Sequence, residues 1–438
     1  KPLPRRKLYD KVPLLDCFTA PCKGGCPIHQ DIPEYIELCR KGAYASALRL
    51  ITEKNPLPFI TGTICAHNCM TKCMRNYYDE PVNIRATKLV AAEKGYDAYM
   101  SKITPPAPVT DGRKVAVIGG GPTGMSAAYF VGRAGIPVTL FEKADRLGGI
   151  VRQVIPAFRI SDEAIDKDVA LMEKMGVEVK LNTEAPSVAE LKAQGYTHIF
   201  FAVGAWKAGR LDIPGNVVPV IGWLRDMKAG KDVSLGHVAV VGGGNTAMDA
   251  ARAALRAGAK SSTLVYRRTK KYMPADAEEL EMAIADGVEF LELVAPVEQK
   301  DGKLICEKMK LGDPDDKGRR KPVPTGEMVE IPCDTVVSAV GEKVESEVFT
   351  RNGITVDEKG IPAFKTNLEG VYAGGDAMRG PATVVEGIAD AQYFANAVIG
   401  EAHKFAIPAK AVATREEAVA KKGVLCESAK CEGNRCLT

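Results

Sequence analysis

The sequence is poor in the features that mark several common classes of protein. Its 438 residues carry 59 basic and 55 acidic side chains, and a formal net charge of +4 provides no basic surface for nucleic acid. No run of about 18 apolar residues occurs, so we expect no membrane span. The first residues, "KPLPRRKLYDKVPLLDC", lack the apolar segment of a signal peptide. We therefore expect a cytoplasmic protein of two or three domains.

Histidine is also scarce, and one type of cysteine pair is missing. The five histidines show no spacing of three or four residues, which argues against a helical zinc site. No Cys-x-x-Cys pair occurs, although enzymes with a redox-active disulfide commonly carry one. We therefore expect the twelve cysteines to serve another chemistry.

Six cysteines form two short series near the start of the chain. The first series is Cys17-x4-Cys22-x3-Cys26-Pro and the second is Cys65-x3-Cys69-x3-Cys73. Such spacing lets several thiolates reach one metal cluster, and a Pro after the last cysteine is typical of iron–sulfur sequences. We predict that these six residues bind iron–sulfur clusters. Cys39, Cys306 and Cys333 stand alone, and we expect buried free thiols there.

Helical patterns surround and follow these cysteines. Residues 31–55 carry apolar positions at helical spacing, begin with an Asp that can cap a helix, and break at Gly42, which predicts a helical hairpin. A further helix is predicted over 83–101. The Pro-rich stretch "ITPPAPVTDGRK" then reads as a linker, so the first domain should end near residue 105.

A dinucleotide-binding unit is predicted directly after the linker. An apolar run at 115–118 leads into Gly119-x-Gly121-x-x-Gly124, then a helical segment, then a strand that ends at Glu142. The glycines allow a tight turn, a close approach to a pyrophosphate and close packing of the helix on the strand. The carboxylate of Glu142 is suited to accept a hydrogen bond from a ribose hydroxyl.

The same construction recurs at "HVAVVGGGNTAMDAARAALRAGAKSSTLVYRR". Here Gly242-x-Gly244-x-x-Ala247 follows an apolar strand, and Tyr266 takes the position of the acid. Arg267 and Arg268 come next, and guanidinium groups pair well with a 2′-phosphate. We predict that this second unit binds NADP(H). The alternative is that the two arginines form a solvated surface patch.

A third segment, "LEGVYAGGDAMRGPATVVEGIADAQ", predicts a short strand, the turn Gly374-Gly375-Asp376, and a helix that starts near Thr383. The Asp at the strand end is suited to accept a hydrogen bond from a ribityl hydroxyl, and the helix N-terminus is suited to face a flavin or its phosphates.

Together these stretches resemble the NADPH-dependent flavoprotein family that contains the small subunit of glutamate synthase, the N-terminal half of dihydropyrimidine dehydrogenase and the large subunit of ferredoxin:NADP transhydrogenase. The similarity covers residues from about 14 to 403. In that family an N-terminal helical domain holds two [4Fe-4S] clusters, and the NADPH-binding unit is inserted into the FAD-binding domain. The resemblance implies FAD, NADPH and one or two [4Fe-4S] clusters as cofactors.

The resemblance also implies the residues that bind them. For FAD these are Gly119, Gly121, Gly124, Glu142, Arg159 and Asp376. For NADPH these are Gly244, Thr246, Arg267 and Arg268. Further cofactor-binding residues are Gly149, Gly242, Asn245, Gly341, Gly375 and Thr383. Cys17, Cys22 and Cys73 would bind one cluster, and Cys26, Cys65 and Cys69 the other. No catalytic residue is predicted, because the cofactors carry the redox chemistry.

Two positions depart from the family pattern. Leu14 stands where the family usually has a further cysteine, and a position that is often Gln or Glu falls near Lys88, a poor iron ligand. Each predicted cluster then has three thiolates. The chain holds either one intact and one degenerate cluster or two clusters with unusual ligands.

The expected fold class is α/β, with a helical iron–sulfur domain followed by two Rossmann-like domains, the NADP domain inserted in the FAD domain. The expected boundaries are 1–105 for the iron–sulfur domain, 106–227 and 332–403 for the FAD domain, 228–331 for the NADP domain, and 404–438 for a linker and the start of a ferredoxin-like segment. A disordered polar tail is the alternative for Cys426, Cys431 and Cys436.

The expected function is electron transfer between NADP(H), FAD and iron–sulfur clusters, to or from a partner protein or domain. One alternative is the small subunit of glutamate synthase itself. Another, of a different class, is a non-catalytic assembly or electron-transfer scaffold subunit.

Overall fold

The structure, a computed structural model, describes residues 19–233, 235–314, 320–400 and 436. The chain divides into two units. The first comprises Lys1–Gly149, Arg159–Gly204 and Ser346–Thr438, and the second comprises Ile150–Phe158 and Ala205–Glu345. In the described ranges, no helix is both long enough and apolar enough to cross a membrane.

The first unit begins with a helical region. Its helices are α1 (Pro21–Gly24), α2 (Ile32–Arg40), α3 (Tyr44–Thr52), α4 (Pro58–Ile64), α5 (Asn68–Thr71) and α6 (Ile84–Met100). The predicted hairpin is confirmed as α2 and α3, with Gly42 at φ +74° between them. Asp31 is the N-cap residue of α2, but its carboxylate pairs with Lys23 and Lys54 and makes no cap hydrogen bond.

A parallel sheet follows in the same unit, in the order β15-β4-β1-β2-β3. Its elements are β1 (Val115–Ile118), α7 (Pro122–Arg133), β2 (Val138–Phe141), α9 (Asp162–Glu173), β3 (Glu178–Lys180), α10 (Val188–Ala193), β4 (His198–Phe201), α14 (Glu347–Thr350), β15 (Val371–Ala373), α15 (Asp376–Arg379) and α16 (Val384–Ile399). Of the short helix α8 (Gly149–Gln153), only Gly149 belongs to this unit. Strands β1 and β2 are wholly buried and β4 and β15 largely so, as expected for a parallel sheet covered on both faces, whereas the edge strand β3 is partly exposed.

Neighbouring aromatic residues of β4 contact different helices. Phe200 stacks on Phe394 of α16 with 4.4 Å between ring centroids. Phe201 contacts Phe349 of α14 at 5.6 Å. Because successive side chains of a strand point to opposite faces, α16 and α14 cover opposite sides of the sheet.

Hydrogen bonds fasten the helical region to this sheet. The buried carboxylate of Asp168, on α9, accepts from the backbone N–H groups of Phe59 (3.1 Å) and Ile60 (2.8 Å) at the start of α4. The hydroxyl of Tyr129, on α7, donates a hydrogen bond to the carbonyl of Thr52. The side-chain amide of Gln392, on α16, donates one to the carbonyl of Lys54. The cysteine-bearing segments are therefore held on the same body as the first glycine turn.

The second unit contains another parallel sheet, in the order β6-β13-β7-β8-β9. Its elements are β5 (Lys207–Ala208), β6 (Val217–Pro219), α11 (Val220–Lys228), β7 (His237–Gly242), α12 (Asn245–Arg256), β8 (Ser261–Tyr266), α13 (Ala277–Ala285), β9 (Glu289–Glu292), β10 (Val294–Lys300), β11 (Lys303–Pro314), β12 (Arg320–Pro332), β13 (Thr335–Ala339) and β14 (Glu342–Lys343).

Strand β7 shows how this unit is layered. Val238 and Val240 pack in a core with α11, α12 and α13. Ala239 and Val241 pack in a second core with residues of β10, β11 and β12, which form an antiparallel sheet. The alternation places helices on one face of the parallel sheet and the antiparallel strands on the other.

The units divide at 204/205 and 345/346, whereas the sequence predicts crossings at 227/228 and 331/332. The difference arises because β6 and β13 pair with each other and β13 pairs with β7. The second unit also takes up Ile150–Phe158, where Val154 joins the core of α11 and α12. Strand pairing over such distances has no signal in local composition.

Candidate dinucleotide and iron–sulfur sites

The first glycine turn joins β1 to α7 and is tightly packed. Gly119 has φ +104°, and a Cβ there would lie 2.5 Å from the carbonyl oxygen of Ala202. A Cβ at Gly124 would lie 1.9 Å from the carbonyl oxygen of Gly119. A Cβ at Gly121, the N-cap residue of α7, would meet no atom closer than Cα of Gly149, at 3.9 Å. The open space therefore lies where the helix N-terminus can meet a phosphate, which fits a dinucleotide.

Glu142 closes the loop from the end of β2. Its side chain is buried, and its Oε2 accepts from the N–H of Gly120 at 2.6 Å. Its Oε1 accepts from the N–H of Ala144 at 2.8 Å. Because each carboxylate oxygen has two lone pairs, Glu142 can hold the loop and still accept from a ribose hydroxyl.

The predicted segment near the C-terminus meets this turn. Gly375 has φ +63°, and a Cβ there would lie 2.3 Å from Oγ1 of Thr123, on the first turn of α7. A Cβ at Gly387 of α16 would lie 2.2 Å from the same atom. These glycines bring the N-termini of α7 and α16 together, which provides the backbone N–H groups that an FAD molecule requires.

Asp390, a residue that the sequence analysis missed, positions this segment. The side chain is 2% exposed, and its Oδ2 accepts from the N–H of Gly375 at 2.8 Å and from Nε of Arg379 at 3.0 Å. Asp376 begins α15 and accepts from the N–H of Ala382 at 3.1 Å. Thr383 caps α16 in a capping box with Glu386, so its hydroxyl already has a structural role.

Gly149 and Arg159 lie in different surroundings. Gly149 has φ +54°, and a Cβ there would lie 2.8 Å from Cα of Gly121, so its backbone adjoins the first turn. Arg159 is half-buried in the segment before α9.

The second turn joins β7 to α12. A Cβ at Gly242 would lie 2.3 Å from the carbonyl oxygen of Ala339, whereas no atom lies within 4 Å of a Cβ at Gly244, the N-cap residue of α12. Asn245 accepts from the N–H of Asp276 at 3.1 Å. Thr246 is half-buried in the first turn of the helix. The open N-terminus fits a second dinucleotide.

Three residues of the second unit complete the set predicted for NADP(H). Gly341, after β13, has φ +107°, and its carbonyl accepts from Gly209 at 2.6 Å. Arg267 is exposed and Arg268 is half-buried, directly after the end of β8. Neither guanidinium group forms a hydrogen bond or ion pair with the part of the chain that the structure describes. Both arginines are thus available to a phosphate.

The structure brings Cys26, Cys65 and Cys69 together around one cavity. Gln30, Tyr35, His67, Arg85 and Lys88 also line it. Burial, followed by the charge of Cys26, raises the pKa of the Cys69 thiol to about 12. Metal coordination offsets such an effect, because a bound cysteine is deprotonated.

A second group of thiols contains Cys22, on α1, and Cys73, which precedes a short 3-10 helix. Burial first, and then the neighbouring thiols of Cys73, Cys436 and Cys69, raise the pKa of Cys22. Burial raises the pKa of Cys73 too, and the charge of Cys436 adds to this, so this distant cysteine acts electrostatically on both thiols of the pair. The spacing of the cysteines gives no sign that Cys436 would act on Cys22 and Cys73. Cys17 and Leu14 lie outside the described residues.

The two thiol groups do not form a site for a single ion. Over the described ranges, no three His, Cys, Asp or Glu side chains converge on one metal position. An iron–sulfur cluster separates its ligands more widely than a zinc ion does, so the thiol groups fit a cluster. Cys39, Cys306 and Cys333 are fully buried and free, which confirms the prediction for those residues.

Comparison with known families gives two matches. Residues 113–391 match the pyridine nucleotide-disulphide oxidoreductase family. Residues 14–98 match the domain described as dihydropyrimidine dehydrogenase domain II, 4Fe-4S cluster. Together the matches imply FAD, a pyridine nucleotide, NAD(P), and a [4Fe-4S] cluster for this chain, in agreement with the predicted cofactors.

Several curated relatives share most of the chain. YgfK of Escherichia coli (strain K12), which is named only as an oxidoreductase, is 43% identical over 91% of this chain and 40% of its own length. The beta subunit of the NADPH-Fe(3+) oxidoreductase of Geobacter sulfurreducens is 36% identical over 90% of this chain and 63% of its own. The glutamate synthase [NADPH] small chain of Escherichia coli (strain K12) is 31% identical over 88% and 89%. The chain thus spans less than two thirds of the first two relatives.

Solved structures agree on the fold. FprA of Mycobacterium tuberculosis in complex with NADPH has a TM-score of 0.55 at 21% identity and covers 66% of this chain and 84% of its own. Thioredoxin reductase of Lactococcus lactis has a TM-score of 0.50 at 23% identity, over 66% of this chain and 100% of its own. At such identities the likeness supports the α/β fold alone, and the predicted fold class is confirmed.

The family models, the relatives and the two glycine turns agree with the family predicted from the sequence. The chain therefore belongs to the pyridine nucleotide-disulphide oxidoreductase family, which its residues 113–391 match, and carries before that region a 4Fe-4S domain that its residues 14–98 match.

Proposed function

We propose that this chain is the NADPH-dependent flavin and iron–sulfur part of a larger oxidoreductase, which exchanges electrons with a partner protein or domain. The observation that carries the proposal is that one body holds both the first glycine turn and the two thiol groups. When bound, FAD exchanges a hydride with NADP(H) and single electrons with iron–sulfur clusters.

Within the first unit, the N-termini of α7 and α16 would bind the negative charge of FAD. Gly121 and Gly149 would let the backbone approach the pyrophosphate, because a side chain at either position would fill that space. Glu142 would accept from the ribose, and Asp376 from the ribityl chain. Gly119 and Gly124 shape the turn, and Arg159 and Thr383 complete the proposed set for FAD.

Within the second unit, Gly244 and the first turn of α12, with Asn245 and Thr246, would bind the pyrophosphate of NADPH. Arg267 and Arg268 would pair with the 2′-phosphate, since their guanidinium groups have no partner among the described residues. Gly242 and Gly341 shape the two strand ends that border the site.

The iron–sulfur ligands would be Cys17, Cys22 and Cys73 for one cluster and Cys26, Cys65 and Cys69 for the other. The hydrogen bonds of Asp168 fix the start of α4, the helix that leads into Cys65. A fixed position relative to the flavin site would let the thiols serve as an electron relay.

We place the protein in the cytoplasm, because a reducing compartment keeps its many free thiols and supplies NADPH. The partner is proposed as a subunit or domain that accepts or donates electrons. This agrees with the relatives named as beta or small subunits. No side chain is assigned as a catalytic acid, base or nucleophile.

The test is rapid anaerobic mixing of the holo-protein with NADPH, and separately with NADH. We expect NADPH to bleach the visible absorbance of the flavin and then to produce the electron paramagnetic resonance signals of reduced clusters. Bleaching without reduced clusters would leave a simple flavin reductase. No bleaching with either nucleotide would favour the scaffold alternative. The glutamate synthase alternative predicts instead a stable complex with a glutamate synthase large subunit.

A further inference from the structure

A buried lysine faces the thiols of the first cavity. Lys88, on α6, lines the cavity together with Cys26, Cys65 and Cys69. Lys88 is buried, with only 6% of its surface exposed. The ammonium group of Lys88 forms no hydrogen bond or ion pair with any residue that the structure describes.

An unpaired ammonium group at such depth is strongly unfavourable unless a negative charge lies nearby. The nearby carboxylate is that of Asp168, which acts on Lys88 through space. Its oxygens, however, accept from the backbone of Phe59 and Ile60 rather than from Lys88. The counter-charge for Lys88 is therefore expected inside the cavity.

The other basic groups of the cavity already have partners. Arg85 approaches Nδ1 of His67 at 3.1 Å and donates to the carbonyl of Cys65 at 3.4 Å. Lys88, by contrast, acts electrostatically on the sulfur atoms of Cys26 and Cys69. A cluster with three thiolates carries negative charge, and each electron added to it increases that charge.

We propose that Lys88 is the charge-compensating residue of the cluster held by Cys26, Cys65 and Cys69, and that its ammonium group raises the reduction potential of that cluster. This proposal rests on the proposed assignment of these three thiols. The step concerned is the gain of one electron by the cluster, without a change in bonds to protein. A fixed positive charge in a poorly solvated cavity favours the reduced form.

The test uses redox titration of the full chain with dithionite and mediators, followed by electron paramagnetic resonance, without NADPH. Lys88→Met should lower the equilibrium constant for reduction of one cluster at least tenfold, a shift of about 59 mV to more negative potential for a one-electron couple. The second cluster should shift much less, because Lys88 is not among the main electrostatic influences on Cys22 or Cys73. Lys88→Arg should retain the wild-type value.

Lys94→Met provides the matched control, because Lys94 is an exposed lysine of the same helix. It should leave both potentials unchanged. If Lys88→Met and Lys88→Gln lose the cluster while Lys88→Arg keeps it, the charge is required and the proposal stands. Intact clusters with the same midpoint in Lys88→Met and wild type would overturn it, as would equal shifts in Lys88→Met and Lys88→Arg. Wild-type protein without iron would instead overturn the cluster assignment itself.

Discussion

The two glycine turns share a backbone design but differ in the residue that closes each loop. In both, the first glycine lies against a carbonyl oxygen of a neighbouring segment, at Ala202 and Ala339 respectively. In both, the N-cap glycine of the helix faces open space. The shared features are those that a pyrophosphate requires, and they say nothing about which nucleotide binds.

The residue at the end of the second strand makes the difference. Glu142 accepts from the N–H of Gly120, and the ring of Tyr266 lies against Gly243, where a Cβ would be 2.5 Å from its Cε2. A carboxylate can select a ribose hydroxyl and repels a 2′-phosphate, whereas an aromatic ring does neither. In the proposed sites, Glu142 would both support its loop and select the nucleotide. In the second unit these two roles would fall to different residues, because Tyr266 supports the loop and the arginines that follow it would select the nucleotide.

The third glycine position also differs between the units. There is no room for a side chain at Gly124. Its counterpart in the second unit is Ala247, whose methyl group is fully buried. Helix α7 therefore lies closer to its turn than α12 does. The comparison predicts that the first unit tolerates less change than the second.

The largest effect is expected from Gly124→Ala. The new Cβ would lie 1.9 Å from the carbonyl oxygen of Gly119, so the helix and turn must separate. We expect a loss of about 3 kcal/mol or more of stability in the first unit, together with loss of bound flavin. Thermal unfolding and the ratio of flavin to protein measure both. The matched change Ala247→Gly should cost only about 1 kcal/mol in the second unit. Equal effects of the two changes would contradict the comparison.

Glu142→Ala should rank second. It removes the acceptor for the N–H groups of Gly120 and Ala144, and each unsatisfied donor costs roughly 1–3 kcal/mol. Flavin content after gel filtration should fall sharply, because the loop and the ribose contact are lost together. NADPH affinity, measured on the apo-flavin protein, should change little. Full flavin content in Glu142→Ala would show that the carboxylate is needed neither for the loop nor for the ribose contact.

The double change Arg267→Ala with Arg268→Ala should abolish most of the preference for NADPH over NADH. Each charge-assisted contact with the 2′-phosphate contributes about 1.5–3 kcal/mol, or roughly ten- to a hundredfold in affinity. Dissociation constants for both nucleotides provide the measurement. Arg210→Ala with Arg320→Ala is the control, because it removes two exposed arginines of the same unit elsewhere. A preserved preference in the first variant would favour the surface-patch alternative.

Tyr266→Phe should have the smallest effect. The hydroxyl donates to the carbonyl of Tyr272 at 2.8 Å, and its loss should cost about 1 kcal/mol in the second unit. The ring that supports Gly243 remains, so affinity for NADPH should stay within about twofold of wild type. A large loss of NADPH affinity would show that the hydroxyl, rather than the following arginines, contributes to nucleotide binding.

The sequence by itself determined the local elements and the kind of chemistry. The hairpin of α2 and α3, the strand before Gly119 and the helix after Thr383 follow from patterns within about twenty residues, where apolar period and glycine placement act directly on the backbone. The cysteine series likewise predicts iron–sulfur binding, because their spacing brings thiolates into reach of one cluster.

Only the tertiary structure decided which distant residues meet. Three features join segments far apart in the chain: the pairing of β6 with β13, the electrostatic effect of Cys436 on Cys22, and the unpaired ammonium of Lys88 in a cavity of thiols. The carboxylates of Asp390 and Asp168 likewise accept hydrogen bonds from distant backbone groups, at Gly375 and at the start of α4 respectively. Each depends on the burial of a polar group against a partner that chain folding brings near, and burial is a property of the packed molecule rather than of any local pattern.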